Sequence, residues 1–135
     1  VKNHVNGKSQ TVRPIVKAEE IMAAREVIKK IYIDEKIERY ITDIVFATRY
    51  PERYNMADMK ENISFGGSPR ASINMALAAR AYAFIKHRGY VIPEDVRAVS
   101  HDVLRHRIGL SYEAEANNIT ADEIVSEILN KVQVP

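Results

Sequence analysis

Apolar residues recur along the chain at the three- and four-residue spacing of α-helices, in segments separated by proline, glycine or short polar stretches. The first helical segment begins at Ala18. The second follows Asp34, whose carboxylate can accept hydrogen bonds from the free N–H groups of a first turn, and it ends before Pro51. The predicted apolar faces are Ile21, Ala24, Ile28 and Ile31 in the first helix, and Ile37, Tyr40, Ile41, Ile44, Val45 and Thr48 in the second.

The middle of the chain carries the most apolar segment. A short helix is predicted over residues 56–63, after which Gly66-Gly67 interrupt the pattern. Ser68 is a good N-cap and Pro69 a good first helical residue, so a third helix is predicted over residues 69–87. This helix is apolar nearly all round, and we expect it to be central and surrounded by the others.

Two further helices complete the prediction. One begins at Pro93, and the other begins at Thr120, where Thr120 and Glu123 form a capping-box pattern. Residues 108–112 favour a short extended piece, and residues 113–118 a polar connection. The fold class predicted is therefore all-α: a small bundle of about five helices over residues 17–135, preceded by a linker or arm at residues 1–16. The predicted inward residues of these two helices are Val96, Val99, Val103, Leu104, Ile124, Val125, Ile128, Leu129 and Val132.

Composition narrows the function classes without naming one. The 135 residues suit one domain, and 46% hydrophobic with 28% charged residues is ordinary for a folded protein. The absence of cysteine excludes disulfides and thiolate metal sites, and no apolar run is long enough to span a bilayer. We expect a cytoplasmic protein. Val1 in place of an initiator Met fits a fragment of a longer chain, or removal of the Met.

Two motif-like segments carry little chemistry. Gly7-Lys8-Ser9 resembles the end of a phosphate-binding P-loop, but Lys2 stands where the first glycine would be needed. With no P-loop and no acidic strand end for Mg²⁺, we expect this chain alone to be inactive as an ATPase. His101 and His106 are five residues apart and share no helix face well, so no metal site is predicted.

A basic cluster raises the question of nucleic acid. Arg105, His106 and Arg107, with Lys86 and Arg88, could contact phosphate backbones. Positive charge at a helix C-terminus is the favoured explanation, because it stabilises the helix dipole and no aromatic residues interleave with it. A net charge of +2 is too small to favour nucleic-acid binding by itself, so nucleic acid is disfavoured as a partner. A stand-alone helical module that binds protein or DNA remains the alternative function.

The segment Gly66-Gly67-Ser68-Pro69-Arg70-Ala71 is the most informative one. It places Arg70 in the first turn of the third helix, where the dipole disfavours a positive charge. A bound anion would explain that position, because guanidinium and helix N-terminus would then face the same phosphate. A surface arginine paired with a nearby glutamate explains it equally well.

The same segment resembles the sensor-2 motif of MoxR-family AAA+ ATPases, commonly G-A-S-P-R-A. Further segments resemble the family in the same order, so that the resemblance covers roughly residues 16–135. The chain departs from the family pattern by Gly67 in place of alanine and by Ile92 in place of threonine, neither of which removes a proposed contact. The supporting segments are residues 16–25, 32–49, 90–96, 103–116 and 132–135.

This resemblance implies a C-terminal helical lid that packs over ATP and Mg²⁺ held by a preceding α/β core. Arg70 would be the sensor-2 arginine that contacts the γ-phosphate and couples hydrolysis to lid movement. Tyr40 and Ile41 would help to wall the adenine, with core packing as the equal alternative. The parent protein would be a chaperone-like ATPase that forms a ring, often a hexamer, with a von Willebrand A domain protein as a candidate partner.

Overall fold

The structure is a computed structural model that describes residues 13–135, so most of the predicted arm and the Gly7-Lys8-Ser9 segment lie outside the described residues. The all-α prediction is confirmed, with a minor strand pair added. The helices are α1 (Ala18–Ile28), α2 (Glu35–Ala47), α3 (Pro69–Ile85), α4 (Pro93–Leu104), α5 (Tyr112–Ala116) and α6 (Ala121–Lys131). Two 3-10 helices, Pro51–Tyr54 and Ala57–Asn62, and two strands, β1 (Ile63–Phe65) and β2 (Gly109–Leu110), lie between them.

Side-chain caps fix two of the predicted helix starts. The Asp34 carboxylate accepts a hydrogen bond from the Lys36 backbone N–H at 2.9 Å, at the start of α2. At the start of α6, the Thr120 hydroxyl accepts from the Glu123 N–H at 3.2 Å, while the Glu123 carboxylate accepts from the Thr120 N–H at 2.7 Å. Both caps satisfy backbone donors that a first helical turn leaves unpaired, as predicted.

Helix α3 runs through the bundle but is covered on one side only. It packs chiefly against α4 and also against α2. The expectation that α3 is surrounded is wrong, because Ile73, Leu77 and Ile85 are 60%, 50% and 67% exposed. An apolar circumference shows that every face of a helix could be buried, but α2 and α4 cover only one face of α3. The fully buried positions of α3 form a single stripe at four-residue spacing, Ala71, Met75, Ala79 and Ala83.

Helix α1 lies at the edge of the bundle. None of its residues is fully buried, and Ile21 is 55% exposed. The predicted inward face is therefore wrong at Ile21, while Ile31, just beyond the helix, is buried. The reason is that α1 contacts the bundle chiefly through a short stretch against α3.

A small sheet and a bridge join distant parts of the chain. Strand β1 pairs antiparallel with β2, with Ile63 opposite Leu110 and Phe65 opposite Gly109. This confirms the extended piece predicted at residues 108–112, although its partner strand was not predicted, and α5 occupies the connection expected to be irregular. The Tyr32 N–H donates to the Gly89 carbonyl at 3.0 Å, which ties the α1–α2 junction to the α3–α4 loop.

The hydrophobic core lies between α2, α3, α4 and α6. Its largest fully buried apolar side chains are Tyr40, Ile41, Ile44, Met75, Leu104 and Ile128. None of the described helices is both long and apolar enough to cross a membrane.

Candidate functional site

The end of α2 and the start of α3 meet at a buried polar contact. Thr48 is the C-cap residue of α2 and is fully buried. Its hydroxyl donates to the Val45 carbonyl at 2.6 Å and accepts from the Gly67 backbone N–H at 2.8 Å. A buried N–H left without a partner is costly, so this bond holds the Gly66-Gly67 segment against α2. We call this contact the Thr48–Gly67 joint.

The two glycines of the joint have different reasons for being small. A Cβ on Gly66 would lie 2.6 Å from the Thr48 carbonyl carbon and 2.7 Å from its hydroxyl oxygen, so no larger residue fits without movement. A Cβ on Gly67 would lie 3.4 Å from the nearest atoms of Val45, Thr48 and Ala71, which is ordinary contact. Gly66 therefore permits the close approach, while position 67 has room for alanine.

Helix α3 begins immediately after the joint. Ser68 occupies the N-cap position and Pro69 the first helical position, as predicted, but the Ser68 side chain makes no capping hydrogen bond. Instead the Ser68 carbonyl accepts from the Ala71 N–H at 2.7 Å, so backbone alone closes the first turn. The hydroxyl of Ser68 is consequently available to another group.

Arg70 is exposed in this first turn. Within residues 13–135 its guanidinium forms no ion pair and donates no hydrogen bond. The paired-glutamate explanation therefore finds no support in the part of the chain that the structure describes. An unpaired guanidinium beside a helix N-terminus can bind a phosphate oxygen together with the backbone N–H groups of the turn.

An open depression of about 360 Å³ lies beside the joint. It is lined by Arg49, Tyr50, Phe65, Gly66 and Ser68. The Arg49 guanidinium lies over the Tyr50 ring, with its central carbon 5.9 Å from the ring centroid. Phe65 is held by the pairing of β1 with β2 and is 64% exposed.

Tyr40 and Ile41 lie in α2, two turns before the joint, and each is 2% exposed. Tyr40 lines a cavity of about 230 Å³, and its hydroxyl has no hydrogen-bond partner among the described residues. Ile41 belongs to the core. The two residues thus lie in a different helix from Arg70, and their contact with adenine stays a prediction. The other residues that line the cavity are Lys36, Arg39, Asp43, Gln133, Val134 and Pro135.

The basic cluster near the end of α4 is engaged within the fold. The Arg105 Nε donates to Asp122 at 3.0 Å, and its Nη1 lies 3.4 Å from Asp102. Arg88 donates to the buried Asp95 at 2.8 Å. These pairs leave fewer free charges for a nucleic-acid backbone. The described residues also contain no group of three or more His, Asp or Glu side chains arranged to hold a metal ion.

Sequence reasoning missed Thr48 and Arg49 as parts of this site. The helical pattern places Thr48 in the apolar stripe of α2, and its bond to Gly67 spans 19 residues. One local signal was present: a polar residue stands at the C-terminal end of a buried helix face, where a burial pattern alone would favour an apolar one.

Comparison with known proteins places these features in context. A family model described as the AAA lid domain matches residues 56–128. The Chaperone MoxR1 of Mycobacterium tuberculosis is 37% identical over 123 residues, which cover 91% of this chain and 33% of that protein. The uncharacterized protein YeaC of Bacillus subtilis is 35% identical over 93% of this chain and 37% of its own length.

A solved structure agrees in fold. The crystal structure of a candidate ATPase from Cytophaga hutchinsonii matches with a TM-score of 0.87 and 43% identity, covering 92% of this chain and 38% of that one. The chain thus spans about a third of the length of the relatives that it matches.

Proposed function

The chain belongs to the AAA lid domain family, in the form carried by MoxR-type AAA+ ATPases, and on this premise we propose that it closes over ATP bound by a preceding α/β core. The parent protein hydrolyses ATP and acts as a chaperone-like ATPase. The P-loop and the ligands of Mg²⁺, which neutralises phosphate charge when bound, belong to that core. This chain alone is expected to be inactive.

Arg70 is the sensor-2 arginine in this proposal. The observation that carries it is an exposed guanidinium, unpaired within the described residues, in the first turn of α3. Negative charge on the γ-phosphate oxygens is stabilised by such a group as the terminal bond breaks. After hydrolysis the γ-phosphate no longer holds Arg70, and the lid is free to move relative to the core.

Tyr40 and Ile41 are proposed to wall the adenine. Tyr40 supports this role because its buried hydroxyl has no partner in residues 13–135 and it lines a cavity beside α2. Eight residues separate Tyr40 from Thr48, or about 12 Å of helix, so base and phosphates could contact different turns. Ile41, the next residue of α2, is buried in the core, and its part in this wall rests on the family resemblance.

The remaining parts of the proposal concern assembly. We propose a homo-oligomeric ring, a hexamer in the family pattern, a von Willebrand A domain protein as partner, and a cytoplasmic location. Exposed apolar residues on α1 and α3, among them Ile21, Ile73 and Leu77, support contact with another part of the parent protein, because large exposed apolar patches usually mark interaction surfaces.

Substitution of Arg70 tests the catalytic part of the proposal. In the full-length protein, Arg70→Ala should lower kcat for ATP hydrolysis by roughly 10²- to 10³-fold, as loss of one charge-stabilising donor does in other enzymes. Because Arg70 is exposed, circular dichroism and the unfolding midpoint should stay unchanged. Steady-state turnover of Mg-ATP is the measurement.

The matched control is Arg105→Ala, which also removes an exposed arginine but one paired with Asp102 and Asp122. Its turnover should equal that of the wild type. Equal turnover of the Arg70 variant and this control would show that Arg70 is not the sensor.

A further inference from the structure

Arg49 is a second arginine beside the start of α3. It follows the C-cap residue of α2 and is exposed. It lines the 360 Å³ depression together with Gly66 and Ser68, the residues that lead into the Arg70 turn. Because Thr48 is bonded to Gly67, the residues that follow each of them, Arg49 and Ser68, lie on the two sides of the joint and line the same depression.

The local environment of Arg49 leaves its charge available. Within the described residues its guanidinium forms no ion pair and donates no hydrogen bond, including to the last carbonyls of α2. Favourable placement at a helix C-terminus would be its ordinary role. However, the guanidinium lies over the Tyr50 ring, which also lines the depression, and does not bond the helix end.

Surrounding charge also favours an anion. Arg53 stacks on the same Tyr50 ring at 4.9 Å, and Lys60 lines an adjoining depression that Arg49 shares. Glu52 pairs with Lys60 at 4.0 Å, whereas Arg49 and Arg53 form no ion pair within residues 13–135. The Ser68 hydroxyl adds an uncharged donor on the rim.

We propose that Arg49 is a second phosphate-binding arginine of the lid and contacts the same nucleotide as Arg70. This inference rests on the proposed closure over ATP. A guanidinium suits phosphate oxygens because its planar donors can form two parallel hydrogen bonds. Arg49 contributes to binding of the phosphate chain, whereas Arg70 acts on charge that develops during hydrolysis. Substitution of Arg49 should therefore lower nucleotide affinity, whereas substitution of Arg70 should lower the rate of hydrolysis.

The test separates binding from turnover in the full-length protein. Arg49→Ala should weaken binding of a slowly hydrolysed ATP analogue about tenfold, the lower end for one hydrogen bond to a charged group, because the site is exposed. Titration calorimetry measures this affinity, and KM for ATP should rise similarly with kcat changed little. Arg49→Lys should recover part of the affinity, since it keeps the charge but loses the planar donors.

Arg105→Ala is the matched control. It also removes an exposed arginine from the C-terminal end of a helix, in this case α4, but Arg105 lines neither depression, so ATP affinity should stay at the wild-type value. Unchanged affinity in the Arg49→Ala protein would overturn the inference. So would weakened ring assembly by sedimentation with intact affinity, because Arg49 would then contact protein instead of nucleotide.

The two proposals can fail separately. If Arg70→Ala lowers turnover while Arg49→Ala leaves affinity intact, only the role of Arg49 is wrong. If Arg49→Ala weakens affinity while Arg70→Ala leaves turnover intact, the lid contacts nucleotide but the sensor role of Arg70 is wrong.

Discussion

The two adjacent glycines of the joint should respond differently to the same substitution. Neither glycine has a φ in the left-handed region, so conformational strain does not distinguish them. The space around each glycine does distinguish them. A Cβ at position 66 would lie 2.6 Å from the Thr48 carbonyl carbon and 2.7 Å from its hydroxyl oxygen, whereas a Cβ at position 67 would touch its neighbours at 3.4 Å.

The expected magnitudes follow from these distances. Gly66→Ala forces a methyl group against backbone at the end of α2, which cannot rotate away as a side chain could. Overpacking of this kind costs about 1–3 kcal/mol of unfolding free energy. Gly67→Ala should instead be neutral or stabilise by about 0.4–1 kcal/mol, because alanine restricts the unfolded chain. The two variants should therefore differ by roughly 1–4 kcal/mol.

Urea denaturation of the 135-residue chain measures this difference, with equal m-values required for the comparison. In the full-length protein, Gly66→Ala should also lower ATP turnover, because the shift displaces Ser68 and the Arg70 turn, while Gly67→Ala should retain it. Equal stability of the two variants within about 0.5 kcal/mol would refute the steric reasoning. Greater destabilisation by Gly67→Ala than by Gly66→Ala would refute it as well.

Two further predictions concern a buried hydroxyl and a perturbed tyrosine. Thr48→Val should lower the free energy of unfolding by about 1–3 kcal/mol in urea denaturation, because the Gly67 N–H loses its partner. The exposed control Thr42→Val, whose hydroxyl bonds only the Glu38 carbonyl, should stay within about 0.5 kcal/mol of the wild type. Equal effects of the two substitutions would contradict the role of the Thr48–Gly67 hydrogen bond. Burial and the hydrogen bond that Tyr54 donates to Asp43 raise the pKa of Tyr54 to about 12, so its neutral form stabilises the fold below pH 10 and this contribution is lost as pH rises towards 12. Between pH 9 and pH 11, denaturation should show a smaller loss of unfolding free energy for Tyr54→Phe than for the wild type. Equal losses in the two proteins would contradict the raised pKa of Tyr54.

Local rules predicted the helices well where a cap or a proline fixed their ends. The Asp34 and Thr120 caps depend on residues two or three positions apart, so the sequence displays them directly. The strand pair is different. Strands of three and two residues have no periodicity to detect, and the pairing of Ile63 with Leu110 joins positions far apart in the chain.

Burial was predicted less well than helix position. The apolar circumference of α3 predicted a surrounded helix, yet Ile73 and Leu77 face solvent. A hydrophobic residue can be buried by a neighbour in this chain or by another part of the parent protein, and the sequence does not distinguish the two. A chain that spans about a third of its relatives can therefore display apolar faces whose partners lie elsewhere.

Of the candidate site, only the part around Arg70 could be predicted from the sequence. Arg70 lies in a contiguous motif, so a resemblance could identify it. Thr48 and Arg49 take part through a hydrogen bond across 19 residues, which leaves no local pattern. This bond also bears on the proposed function. It joins the end of α2 to the start of α3, and both helices pack into one close-packed core that resists deformation. If Arg70 and Arg49 bind phosphate as proposed, release of phosphate from either arginine should therefore free the bundle as one body, because α2 and α3 cannot separate at this end without breaking a buried hydrogen bond.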